Sequence, residues 1–108
     1  ALRDFDWEGA IFLPFWNNSK VVRINANNVY ISLYLQPLRK EVLAVISRLY
    51  DVPDEKIIHV QFNLEKLGFA DIVKILDVVT KENISAKSGE ISIEVHSNGF
   101  RFLKITGK

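Results

Sequence analysis

The 108-residue sequence predicts an α+β fold: a mostly antiparallel sheet with two helices packed on one face. Three observations carry that expectation. Both ends of the chain alternate apolar and polar residues with the period of two that half-buried strands show. Asparagine-containing breaks punctuate the alternation, at Asn17-Asn18-Ser19, Asn27-Asn28 and Asn98-Gly99. Between the two ends, two stretches carry apolar residues at helical spacing. The expected element order is βββ-α-β-α-ββ, in one domain spanning residues 1–108.

The first three strands are read from residues 10–35. Asparagine tolerates positive φ well, so Asn27-Asn28 suits a two-residue hairpin turn. Pairing outward from it sets Ile24 opposite Ile31 and Val22 opposite Leu33. Pairing around the first break sets Phe12 opposite Ile24 and Pro14 opposite Val22. In that register Phe12, Pro14, Trp16, Val22, Ile24, Val29, Ile31, Leu33 and Leu35 share the core face. Ile11, Leu13, Phe15, Val21, Arg23, Asn25, Tyr30, Ser32 and Tyr34 share the outer one. A slip of one residue would exchange the faces of a whole strand.

The helices follow. Pro37 suits a first helical position, and Leu38, Val42, Val45, Ile46, Leu49 and Tyr50 recur at helical spacing until Val52-Pro53-Asp54. Residues 57–62 read as a short strand. Asn63 can cap a second helix, with Phe69, Ile72, Val73, Leu76 and Val79 as its stripe to about residue 82, and Gly68 as a potential break. Asn98-Gly99 between two alternating runs predicts a terminal hairpin. It would pair Glu94 with Leu103 and place Ile91, Ile93, Val95, Phe100 and Phe102 in the core.

Composition narrows the chemistry. Hydrophobic residues make up 48% and charged residues 25%, and there is no cysteine, which removes disulfides, thiolate metal sites and cysteine nucleophiles. Two histidines, His59 and His96, are too few for an all-histidine metal site. No glycine-rich phosphate loop, GxSxG elbow, HExxH or calcium-loop pattern occurs. The expectation is therefore no enzyme, no cofactor and no metal. No apolar run approaches the ~20 residues of a bilayer span and no signal-peptide pattern opens the chain, so no membrane and a cytoplasmic location are expected.

Charge is uneven behind a formal net of +1. Residues 9–50 hold Lys20, Arg23, Arg39, Lys40 and Arg48 against Glu41 alone, whereas residues 51–82 are acidic. The outer sheet face thus combines Phe15, Tyr30 and Tyr34 with Arg23, and adds His96 and Arg101 if the terminal hairpin joins it. Every base has a π-face and phosphates need cations, so this pattern predicts a non-catalytic platform for single-stranded nucleic acid, DNA or RNA. Its expected contacts are Phe15, Trp16, Lys20, Arg23, Tyr30, Tyr34, Arg39, Lys40, His96 and Arg101. Two other uses suit the same apolar face. It could mediate homodimerisation or another protein contact, or be covered by residues 1–9 with Phe5 and Trp7.

Two resemblances bear on this. From Asn28-Val29-Tyr30-Ile31 through Pro37 into Val42-Leu43-Ala44, the chain is similar to the first strand and helix of the archaeal Alba chromatin proteins, whose order is β-α-β-α-β-β. The basic loop that precedes the helix there is replaced by Ser32-Leu33-Tyr34. The aromatic, basic-edged sheet backed by helices also resembles the archaeal ThermoDBP-type single-stranded DNA-binding proteins. That resemblance implies roles in strand binding for Phe15, Trp16, Lys20, Arg23, Tyr30 and Tyr34.

Overall fold

A computed structural model describes residues 9–24, 29–48, 57–95 and 99–108. Nine strands occupy them: β1 (Ile11–Leu13), β2 (Val22–Ile24), β3 (Val29–Gln36), β4 (Glu41–Arg48), β5 (Ile57–Phe62), β6 (Ile72–Asp77), β7 (Asn83–Ile84), β8 (Glu90–Glu94) and β9 (Phe100–Gly107). A four-residue helix, α1 (Leu64–Leu67), and two 3-10 turns, Phe15–Asn17 and Pro37–Arg39, complete the described elements. The strands form a six-stranded sheet, β1-β3-β4-β9-β6-β7, and a three-stranded sheet, β2-β5-β8. Every strand pairing is antiparallel.

One apolar cluster joins the sheets. Val29, Ile31, Leu33, Val42, Ala44, Ile46, Leu103, Ile105 and Ile75 come from the large sheet, and Val22, Ile58, Val60, Phe62, Ile91 and Ile93 from the small one. The register places each set on a single face, so the two sheets stack as a β-sandwich. Arg48 ties the layers together. It is only 2% exposed, and its Nη1 donates to the Val95 carbonyl at 3.0 Å, from the end of β4 to the residue after β8.

The antiparallel sheet was expected; the two helices were not found, and the α+β class is corrected to an all-antiparallel sandwich. Residues 41–48, read as the heart of a helix, form β4 at the middle of the large sheet. Val42, Ala44 and Ile46 point between the sheets while Leu43 and Val45 point outward. A strand buried on both faces reads as a continuous apolar run, which periodicity cannot separate from a buried helix. Its β-branched residues favour the strand. The second expected helix is reduced to one turn. Asn63 does cap it, accepting from the Lys66 amide at 3.2 Å, but Gly68 stops it with φ 78° and the chain then extends into β6. The strand–helix order of the Alba family falls with these helices.

The three expected hairpin pairings are also corrected. Ile24 pairs with Val60 and Ile31 with Ile46, because β2 and β3 belong to different sheets. β8 and β9 likewise part, with Ile93 opposite Ile58 and Leu103 opposite Ala44. The Asn27-Asn28 turn, His96 to Asn98, and residues 1–8 of the expected cover lie outside the described residues. β1 runs one residue out of the expected phase. Phe12 pairs with Tyr34 on the outer face, and Leu13 with Leu33 on the inner one.

Candidate interaction face

The outer face of the large sheet is built from alternate positions of four long strands. One rung runs from Tyr34 through Leu43 and Lys104 to Leu76, with Phe12 opposite Tyr34 at the edge. The next holds Ser32, Val45 and Phe102, and the next Tyr30, Ser47 and Phe100. Five rings thus share one face. Phe12 stacks on Tyr34 with centroids 4.7 Å apart, and Phe100 stacks on Phe102 at 6.5 Å. Leu43 is 1% exposed although it is not among the side chains packed between the sheets. Phe100, by contrast, is 60% exposed and Phe12 about half.

Phe15 and Trp16 extend this face at its β3 edge. Pro14 has no N–H to continue β1, and the chain turns into the 3-10 segment, closed by the Asn17 amide donating to the Pro14 carbonyl at 2.9 Å. Buried Asn18 anchors the turn, its Nδ2 donating to the Ile31 carbonyl at 2.6 Å and to Leu13 at 3.3 Å. Phe15 is thereby held against Tyr30, with centroids 4.7 Å apart, and edge-on to Trp16 at 5.0 Å. Trp16 is 71% exposed.

The cations do not gather around these rings. Arg23 is exposed on the outer face of the small sheet, and Lys20 lies in the turn before β2. Arg39 and Lys40 occupy the turn between β3 and β4, at the far end of β3 from Tyr30. Arg101 faces inward, its Nε donating to Asp77 at 2.6 Å and its Nη1 to the Glu94 carbonyl at 2.8 Å. His96 is outside the described residues. On the aromatic face itself the described cations are Lys104, paired with Glu41 at 3.1 Å, and Lys74. The expected set thus separates into a ring cluster (Phe15, Trp16, Tyr30, Tyr34), Arg23, which meets Phe15 and Tyr30 only in the lining of one cleft, and other cations placed elsewhere. The sequence reading missed Phe12, Leu43, Phe100 and Phe102. Both alternation phases of residues 100–105 are apolar, and the assumed hairpin chose the wrong one.

Among the described residues, Asp77 is the one group whose titration clearly departs from its ordinary value. Burial alone would raise it. The Thr80 and Val79 amides, each 2.9 Å from its Oδ1, together with Arg101 outweigh burial and hold it below the usual 3.8. Its partners mark it as a structural anchor for the turn after β6. No cluster of three or more histidine, cysteine or acidic side chains among the described residues could hold a metal. No helix among them is long and apolar enough to cross a membrane.

An antiparallel sandwich with one aromatic outer face is therefore what fold and surface define. No protein-family model matches the chain, and no curated protein matches it either. Among solved structures, α-L-fucosidase isoenzyme 2 from Paenibacillus thiaminolyticus shares the fold, with a TM-score of 0.55 at 12% identity. The match covers 82% of this chain and 15% of that one. At that identity the likeness is one of fold.

Proposed function

We propose that this sandwich is a non-catalytic module that docks through the aromatic face of its six-stranded sheet onto a larger companion domain of the same polypeptide. The observation that carries this reading is the continuous run of outward apolar positions from Phe12 to Phe100 across four strands. Around buried Leu43 the rings are left partly to water, with Phe12 about half and Phe100 60% exposed, and soluble monomers rarely leave so contiguous a set of apolar side chains unburied. Interface cores are enriched in aromatic rings and depleted in charge, as the part of this face from Tyr30 and Val45 to Phe100 and Phe102 is. The fold match supports a module role: in the fucosidase, a sandwich of this kind accounts for a small part of a much longer chain.

Single-stranded nucleic acid fits the face less well. Stacking needs the rings, but affinity for a polyanion comes largely from cations along its backbone. Lys74 and the Glu41-paired Lys104 are few for that task. The ThermoDBP-type resemblance rested on a basic margin, whereas Lys20, Arg39 and Lys40 lie apart from the rings and Arg101 is committed to Asp77.

Photo-crosslinking tests the proposal in the polypeptide as its source makes it. A benzophenone side chain is placed at Phe100 or, as a control on the opposite face, at Glu90. Crosslinks from position 100 to another domain of the same polypeptide, absent from position 90, are expected. Crosslinks from position 100 to nucleic acid, or labelling no greater than at position 90, overturn the reading.

A further inference from the structure

Where β2 passes β3, on the open side of the sandwich, lies a cleft of about 390 Å³ whose lining includes Phe15, Asn18, Ser19, Arg23 and Tyr30. It opens beside the aromatic face, around the edge of β3. Among the described residues, β1 covers β3 only over Leu33 to Leu35 and β2 has a strand partner on one side only, so no described strand covers this flank. The Phe15 and Tyr30 rings, 4.7 Å apart, make an apolar wall. Asn18 commits its amide N–H groups to the carbonyls of Leu13 and Ile31, so its carboxamide oxygen is its remaining polar atom.

Arg23 gives the cleft its charge. It is exposed on β2, forms no ion pair with another described residue, and lines two further clefts of about 260 and 250 Å³. Arg23 thus borders adjoining depressions on this side of the molecule, one of which it shares with Glu90. A fork of donors of this kind matches a carboxylate bidentately.

We propose that the cleft binds a carboxylate-bearing pyranose, a uronic-acid unit. Its carboxylate meets Arg23, the C–H face of its ring lies against Tyr30 or Phe15, and its hydroxyls bond Ser19 and the Asn18 oxygen. The volume lies within the range of small-ligand sites. A flat aromatic acid would use the rings and the arginine but leave Ser19 and Asn18 without partners. A neutral sugar would leave the arginine unused.

The experiment titrates the ¹⁵N-labelled protein with α-1,4-linked digalacturonate, with cellobiose and with indole-3-acetate. Digalacturonate is expected to shift the amides of Ser19, Arg23 and Tyr30 saturably, with a Kd of order 1 mM. In Arg23→Gln that affinity should fall about tenfold or more, with the rest of the spectrum unchanged, while Arg23→Lys retains part of it. Absence of saturable shifts with digalacturonate overturns the proposal. So does equal affinity in Arg23→Gln, or binding of cellobiose or indole-3-acetate as tight as that of digalacturonate.

Discussion

The two sheets of this sandwich turn opposite kinds of surface outward. In the small sheet, Ile58, Val60 and Phe62 of β5 are buried while Ile57, His59 and Gln61 are exposed. β8 repeats the pattern, with Glu90, Ser92 and Glu94 outward and the Ser92 hydroxyl 2.7 Å from His59 Nδ1. That is a face wetted by water. The large sheet turns Phe12, Tyr30, Tyr34, Phe100 and Phe102 outward around Leu43. Clean alternation therefore marks a face with nothing further to bury, and its loss in β4 marks a second apolar layer.

The largest effect should come from placing a charge in each face. Leu43→Asp puts a carboxylate at a fully buried outward position and should cost roughly 4 kcal/mol or more. Ser92→Asp, on the exposed face, should stay within ~0.5 kcal/mol of the parent. Urea unfolding of both variants decides it. Equal costs would mean that the outer layer of the large sheet is not packed and that the contrast between the faces is only compositional.

Charges inside the large sheet sharpen the comparison from the other direction. Asp77 and Arg101 face inward, with Asp77 1% exposed, and removal of one partner strands the other. Asp77→Ala should cost about 3 kcal/mol, whereas Glu90→Ala on the wetted face should cost almost nothing. The pH dependence follows from the lowered Asp77 value. A carboxyl lowered in the folded state contributes stability that is fully present above about pH 5 and lost as pH falls through 3.8 towards the folded value. Urea midpoints between about pH 6 and pH 3 should therefore fall less steeply in Asp77→Ala than in the parent. Parallel curves would show that the Arg101 pair contributes nothing to acid stability.

The same contrast explains what could be read from the sequence. Where one face is wet, the alternation was sufficient to read residues 57–62 as a strand and to place Ile91, Ile93 and Val95 in the core. In β3, beneath the aromatic face, the core roles of Ile31 and Leu33 and the outward roles of Tyr30 and Tyr34 were also correct. Where both faces are apolar, as in residues 42–46, the pattern no longer distinguishes strand from helix. Pairing was the second gap. Local turns suggested neighbours in sequence, but β2 and β3, and likewise β8 and β9, divide between the two sheets. Non-local pairing leaves no mark at the turn itself, so Phe12, Phe100 and Phe102 were assigned to the core and the aromatic face was seen only in part.

The smallest expected effect in stability is the most informative about what the aromatic face does. Phe100 is 60% exposed, so its ring contributes little to the folded state, and Phe100→Ser should change the unfolding free energy by about 1 kcal/mol or less. Its apolar area is available to bind, however, and the isolated chain should enhance the fluorescence of anilinonaphthalene sulfonate while still folded, because Phe100 and its neighbouring rings form one contiguous apolar surface. Phe100→Ser should lower that enhancement several-fold. Ile57→Ser removes a comparably exposed apolar side chain, 56% exposed, from the wetted face and should leave it unchanged. A single exposed side chain among polar neighbours offers no contiguous surface, whereas Phe100 belongs to a stacked pair beside Val45 and Leu43. If the two substitutions act alike, contiguity is not what distinguishes the faces, and the docking surface loses its physical basis.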